Sequence, residues 1–288
     1  MPSTIVLKRR INSIRSTRQI TKAMELVSAS KLRRAQVIAL RSRDYQQLAY
    51  EFLQRLGSIP EAETHPMFAK RKINKRLYVV ITSNSGLAGA YNANVHKQLL
   101  IALKRDQQES VGSQVIMIGN KGASFVRRIE KVNLLAVYQP FGDQPTADSI
   151  RPLLNNVLQH YNDGLSEAIE IIYTSFISTI NQRVIEMELL PVAKPNKDKD
   201  FTSNVTFEPD VETVIQQVTT RLIEAQLWQA ILESLASEHA MRMVATKNAT
   251  DNANELIDDY TLALNTARQA AITQELAEIT GGAEALNG

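Results

Sequence analysis

The residue patterns with the greatest chemical potential lie in the middle of this 288-residue chain. "SNSGLAGAYN", Ser83 to Asn92, follows an apolar β-branched run and opens a helical stretch, a place where a glycine turn can offer backbone amides to a phosphate. Its glycines read Gly86-x-x-Gly89, which is not a dinucleotide fingerprint, and no Walker lysine follows. Gly119-Asn120-Lys121-Gly122 is a weaker version of the same signal, and tight strand-to-helix turns need glycine for backbone reasons alone. His65, His96, His160 and His239 are scattered, with no pair at metal-ligand spacing. The chain has no cysteine, which removes disulfides, thiolate metal sites and cysteine nucleophiles, and it has no Gly-x-Ser-x-Gly elbow. Asn204-x-Thr206 and Asn248-x-Thr250 are chance sequons. The expectation is no catalytic residue, no cofactor and no metal.

Charge is distributed more informatively than the net value of +3 suggests. Up to Arg43 the chain is strongly basic, with Lys8, Arg9, Arg10, Arg15, Arg18 and Lys22 among its cations and Glu25 as its one acid. From Asp251 onward it is acidic, with Arg268 alone against Glu255, Asp258, Glu275, Glu278 and others. Termini of opposite sign point to mutual pairing or to two different partners. No apolar run approaches the roughly 20 residues that span a bilayer, and no secretory leader is expected. The compartment this implies is cytosolic.

Two elements must carry these charges. Ser3 to Leu56 contains neither proline nor glycine, and Asp210 to Thr280 is a second such run. Pro209 suits the first turn of the second helix, Asp210 and Glu212 complement its dipole, and Gly281-Gly282 is expected to close it. At about 1.5 Å per residue, both exceed a globular domain of this size and argue for a coiled coil. In sevens from Val211 the second helix places Leu232, Thr246, Ala253 and Tyr260 at one position. Ala249, Leu256, Ala263 and Ala270 fall three residues later, flanked by Ile215, Leu222, Ile257 and Leu264. The first helix offers Leu7, Ile11, Ile14, Leu32, Ala35, Leu48, Phe52 and Leu56, but between Arg15 and Lys31 its stripe thins to Ile20, Met24 and Val27. That segment reads as a surface for something else.

Between the helices the texture changes. "KRLYVVITS" (75–83), "SQVIMIG" (113–119) and "VNLLAVY" (132–138) alternate with helical stretches near 92–106, 122–130 and 146–161, the rhythm of a mostly parallel, doubly wound sheet. Two further strands, 168–178 and 182–192, are joined by a short turn and should pair antiparallel at an edge. The fold class expected is α/β plus a long antiparallel coiled coil, in which an α/β domain is inserted between two helices that bury their stripes only against each other. The expected boundaries are 1–57 and 209–288 for the helices, 58–74 for a connecting segment, 75–192 for the Rossmann-like domain and 193–208 for an exposed loop.

Several stretches together resemble a known family. "RRINSIRSTRQITKAMELVSASKLRRAQ", "SNSGLAGAYN", "SLASEHAMRMVATKNATDNANELI" and "ARQAAITQELAEITGGAEAL" are similar to the gamma subunit of the F-type rotary ATP synthase, over essentially the whole chain. The most specific piece is Ile272-Thr273-x-Glu275-x-x-Glu278-x-x-x-Gly282-Ala283-x-Ala285. The resemblance implies a non-catalytic rotor shaft, one copy per complex, inside three alpha and three beta subunits. It also implies contacts to the epsilon subunit and the membrane c-ring, no nucleic acid, no small-molecule substrate of its own, and a peripheral location on the cytoplasmic face of a bacterial plasma membrane.

The same resemblance places Arg9, Arg10, Lys22 and Met24 beside the beta subunits, and Arg268, Gln269, Thr273 and Glu275 near beta contacts and torque transmission. It puts Ala283, Glu284, Ala285 and Leu286 in a bearing tip, and Gly86 and Gly89 in a turn of the foot domain. On spacing alone Met24 is equally a coiled-coil core residue, and Arg268 is equally a cation paired within the shaft at about 0.5 kcal/mol. The loop departs from the family's common Ser-Asp-Arg-Gly-Leu-Cys-Gly in reading Ser83-Asn84-Ser85-Gly86-Leu87-Ala88-Gly89, which lacks the acid, the arginine and the cysteine. Chloroplast forms carry a cysteine-bearing insertion that this chain lacks, so disulfide regulation is not expected. Two alternatives stand beside this reading: a basic coiled-coil protein that binds nucleic acid through residues 8–43, and a nucleotide-dependent enzyme of the central domain.

Overall fold

The computed structural model describes residues 3–57, 65–69, 71–139, 141–142, 145–192 and 210–287, and among their side chains all but those of 40–47, 49–57, 147, 211 and 284–287. The elements are α1 (Thr4–Gly57), β1 (Lys75–Ile81), α2 (Tyr91–Glu109), β2 (Gly112–Ile118), α3 (Asn120–Val126), β3 (Asn133–Tyr138), α4 (Ala147–Asn162), β4 (Ala168–Phe176), β5 (Gln182–Leu190) and α5 (Val211–Asn287). The helix expected over 122–130 ends early, at Val126. Beyond it Arg128 and Ile129 donate to carbonyls three residues back, and Lys131 turns the chain with φ 63°.

The sheet order is β3-β2-β1-β4-β5, with four parallel strands and β5 antiparallel at the edge, as the short 176–182 connection requires. Both faces are covered, so the strands read as continuous apolar runs rather than alternations. Leu77, Val79 and Ile81 point to a layer containing Ile150, Leu153 and Val157 of α4, while Tyr78 and Val80 point to Val95 and Leu99 of α2 and Ala123 of α3.

The α4 layer is completed by the C-terminal helix. Ile215, Leu222, Ile223, Leu227, Ala230 and Ile231 of α5 belong to the same core. The expectation that the long helices bury their stripes only against each other is thereby overturned: over 222–242 α5 has few exposed positions, because the sheet supplies a second partner. Polar contacts fix this docking. The Thr174 amide donates to Ser234 Oγ (3.1 Å), the Ser237 hydroxyl donates to the Thr174 carbonyl (3.1 Å), and the Ser175 hydroxyl donates to Glu233 (2.6 Å).

The ends of α5 differ in character. Asp210 stands just before the helix as its cap, accepting from the Thr213 amide and hydroxyl (both 2.8 Å), which lowers its pKa. Pro209 and the loop over 193–208 lie outside the described residues. At the other end Gly281 and Gly282 do not close the helix, which runs on to Asn287. A glycine weakens a helix by only about 1 kcal/mol relative to alanine, and Ala277, Ala283 and Ala285 favour continuation.

The chain divides into two compact units, Met1–Val27 with Met243–Gly288, and Ser28–Arg242. In the larger one α1 buries Ser28, Leu32, Ala35 and Ala39 at a 4-3-4 spacing, whereas Leu48, expected in that stripe, is 66% exposed. The side chains of Phe52 and Leu56 lie outside the described residues.

Candidate functional site

The smaller unit is a pair of antiparallel helical segments whose inner seam changes chemistry along its length. On α1 the inward positions are Leu7, Ile11, Ile14, Arg18 and Thr21, alternating by four and three residues as a 3.5-residue repeat demands. On α5 they are Thr246, Thr250, Ala253 and Ile257, all buried, followed by half-buried Tyr260, Leu264 and Ala267. The Thr250 and Thr21 hydroxyls hydrogen-bond at 2.8 Å, Arg18 donates to Asn254 (3.3 Å) and Arg10 donates to the Tyr260 hydroxyl (2.9 Å). All three pairs lie within one residue of the rule that residue i faces residue 271 − i.

Keeping this repeat unbroken puts polar residues inside and apolar ones outside. Ile20 and Val27, to which the apolar stripe thins in a segment read as a surface for something else, are 60% and 54% exposed, and with half-buried Met24 they form an i, i+4, i+7 ridge on α1. On α5 a correction concerns Ala249, Leu256, Ala263 and Ala270, which are exposed, while the flanking positions Ile257 and Leu264 take the seam. The basic residues are spread around the helix and not gathered along this ridge, with Lys22 two positions from both Ile20 and Met24 and so on a different side. Arg9 is exposed; Lys22 is exposed and pairs with Glu25 at 3.1 Å along its own helix, an arrangement of low strength. Arg10 is held over the Tyr260 ring, 5.6 Å from its centroid, in cation–π geometry.

Helix α5 outruns α1. The facing rule brings Thr4 beside Ala267, and from Arg268 through Ala283 every side chain is exposed. Arg268, Gln269, Thr273 and Glu275 lie on this bare segment, where the Thr273 hydroxyl bonds back to the Gln269 carbonyl (2.9 Å). Ile272, Leu276 and Ile279 form an apolar stripe along it. Ala283 is exposed; the side chains of Glu284, Ala285 and Leu286 lie outside the described residues.

The larger unit holds the glycine turns. In doubly wound sheets a nucleotide sits beyond the carboxyl ends of the strands, where the strand order reverses, here between β1 and β4. That place is crossed by α5, through the Thr174–Ser234 and Ser175–Glu233 contacts and through Arg242, which donates to Ser85 (3.1 Å) and pairs with Glu238 (2.7 Å). Three amides at these turns are committed to the fold: Ser83 donates to Asn92 (3.0 Å), Asn120 to Asn84 (3.0 Å) and Gly122 to Thr82 (3.0 Å). Gly89 has φ 55° and exposed Leu87 φ 59°, whereas Gly86 has open space around it. Gly122 is required by packing, since a Cβ there would run into Met117 and Thr82. Among the described residues no cluster of three His, Asp or Glu is placed to hold a metal ion.

The sequence reading missed a buried ionic network on the α2 face of the sheet. Arg76 pairs with Asp106 and, at 3.0 Å, with Glu170; Arg105 bridges Glu170 (2.9 Å) and Glu186 (2.8 Å). The Tyr78 and Ser113 hydroxyls donate to Asp106 (2.8 and 2.9 Å). Its signal was a charge inside an apolar strand, Arg76 in "KRLYVVI" and Glu170 in "AIEIIYTSF", since such residues are seldom buried unless paired.

Comparison with known proteins adds the following. The family model described as ATP synthase matches residues 3–286. The ATP synthase gamma chain of Moorella thermoacetica is 41% identical, over 97% of this chain and 98% of its own length. That of Stenotrophomonas maltophilia is 40% identical, over 99% and 100%. Among solved structures, a chain of the Euglena gracilis mitochondrial ATP synthase OSCP/F1/c-ring assembly superposes with a TM-score of 0.71 at 19% identity, covering 98% of this chain and 94% of that one. A chain from the Tetrahymena thermophila ATP synthase central stalk and c-ring gives 0.62 at 23% identity, over 80% and 99%. These two likenesses concern the fold.

Proposed function

Because the chain belongs to the ATP synthase gamma-chain family, we propose that it is the central rotor shaft of a rotary ATP synthase, coupling ion-driven rotation of a membrane ring to synthesis or hydrolysis of ATP elsewhere in the complex. It is a subunit of a membrane-associated ATPase complex, and none of its described helices is long and apolar enough to cross a membrane. In this reading the chain is non-catalytic: three alpha and three beta subunits surround a single copy, epsilon and the c-ring hold its foot, and the assembly lies on the cytoplasmic face of a bacterial plasma membrane.

The observation that carries the reading is the bare segment of α5. A 77-residue helix that leaves every side chain from 268 to 283 in water gains nothing in stability from that length, so the segment exists for contact with other chains. A shaft that meets several stator positions in turn is better served by small, polar and charged surfaces than by a broad apolar face that would hold one position. The exposed surface of α1, with Arg9 and the Ile20–Met24–Val27 ridge and, on another side, Lys22, fits contact with beta subunits. Arg268, Gln269, Thr273 and Glu275 fit torque transmission, residues 283–286 a bearing tip, and Gly86 and Gly89 a loop of the foot.

Reconstitution tests this. Purified chain mixed with alpha and beta subunits of the same organism is expected to give an assembly of one copy per three alpha–beta pairs with ATP hydrolysis. Failure to assemble, with every subunit folded, overturns the reading. A variant sharpens the test: Ile272→Asn/Leu276→Asn/Ile279→Asn is expected to leave the unfolding free energy of the isolated chain within about 1 kcal/mol, because surface substitutions rarely matter. It should weaken assembly at least tenfold. Equal losses in both measurements would make the stripe a folding element instead.

A further inference from the structure

The ionic network under α2 contains an imbalance of charge. Arg76 and Arg105 bring two guanidinium groups, whereas Asp106, Glu170 and Glu186 bring three carboxylates whose side chains are 0%, 11% and 15% exposed. Glu109 lies 3.8 Å from Arg76 but is 52% exposed, so water carries its charge. Glu188 stands opposite Glu170 in the β4–β5 register and is also exposed. The three enclosed carboxylates thus meet one enclosed guanidinium, Arg76, and one that is 39% exposed, Arg105, an excess of negative charge that a site poor in water relieves by binding a proton.

Geometry locates that proton. Asp106 accepts from Arg76, Tyr78 and Ser113, so its oxygens are already engaged by donors. Glu170 takes Arg76 and Arg105, and Glu186 takes Arg105 and the Gln98 amide (2.7 Å), with Arg105 drawing the two carboxyl groups together across neighbouring strands. We propose that Glu170 and Glu186 hold one proton between them at neutral pH, and that its release loosens the edge strand β5 from β4.

The energetics run the same way. Burial, and then the hydrogen bond with Glu186, push Glu170 up to about 7. Burial acts to raise Glu186 as well, but its bonds with Glu170, Gln98 and Arg105 outweigh that and hold it below the ordinary range. A folded-state value above the unfolded one means that the stability conferred by the Glu170 proton is complete below the ordinary glutamate pKa. It is lost as pH rises through about 7. The two carboxylates are then both ionised at diagonal positions of adjacent strands, Glu170 opposite Glu188 and Glu186 opposite Ile172, within reach of one another as long side chains and sharing the single Arg105.

Carboxyl-carbon NMR on the full chain with labelled glutamate, titrated between about pH 5 and pH 8.5, measures this directly, because a shared proton appears as one titration displaced into the neutral range. The expected result is one glutamate resonance with a midpoint near neutrality that disappears in Glu170→Gln and moves down in Glu186→Gln. In parallel the thermal midpoint of the wild-type chain is expected to fall by roughly 2–6 °C from pH 6 to pH 8, and that slope to flatten in Glu170→Gln. Glu109→Gln keeps the slope. If all glutamates titrate in the ordinary carboxylate range, or the neutral resonance survives both variants, the proposal is overturned. The wild-type titration is decisive even if a variant fails to fold.

Discussion

Asp106→Ala is expected to destabilise the larger unit by about 3–5 kcal/mol, because it takes from the buried Arg76 guanidinium one of its two enclosed carboxylate partners and leaves buried donors unsatisfied. The substitution removes a partner of Arg76, whose side chain is 7% exposed, and at the same time strands the Tyr78 and Ser113 hydroxyls that donate to Asp106. Glu170 remains 3.0 Å from Arg76 and limits the loss without cancelling it. Asp106→Asn keeps acceptor oxygen and shape and should lose less. Arg76→Met/Asp106→Leu removes both charges, and buried pairs replaced by apolar residues of similar volume are often neutral or better. Urea unfolding followed by circular dichroism distinguishes these outcomes: the double variant should recover most of what Asp106→Ala loses. If the double variant is no more stable than Asp106→Ala, packing and not charge compensation is what Asp106 supplies.

The second large effect concerns where α5 belongs. Leu227→Ala is expected to cost about 2–5 kcal/mol, the range for emptying a fully enclosed leucine site. Leu227 is 0% exposed and sits in the core shared by α4, β1, β4 and β5. Leu256→Ala, at a site 45% exposed, is expected to stay within about 0.5 kcal/mol. The comparison is sharp because the heptad phase read from Val211 ranks these residues the other way: Leu256 falls on the seam and Leu227 two residues past it. Equal unfolding midpoints for the two variants would return α5 to a pure coiled-coil role over this stretch.

The same pair of leucines marks the boundary between what the sequence by itself determined and what only the tertiary structure decided. The breaker-free runs, the β-branched segments bounded by Gly, Asn and Pro, and the short turn before Gln182 determined two long helices and a five-strand sheet with an antiparallel edge. All of these are set by local backbone preference and chain connectivity. The terminal signature determined the family. The phase of each helix was not legible. A repeat of 3.5 fits two adjacent rows of residues almost equally well when both contain alanine or threonine, and only the partner selects one. Hence Ile20 and Val27 point outward while Thr21 and Ser28 point in, and Ala249 and Leu256 give way to Thr250 and Ile257.

The network of Arg76, Arg105, Asp106, Glu170 and Glu186 was hidden for a related reason. Its members come from β1, α2, β4 and β5, and nothing local brings positions 76 and 170 together; parallel pairing of β1 with β4 does, by placing Arg76 beside Ala168 and Tyr78 beside Glu170. Charges in apolar strands announced that partners had to exist. Which partners, and that they leave one carboxylate in excess, follows from strand order and from the face on which α2 lies, because burial and charge compensation are properties of the packed layers and not of any one segment.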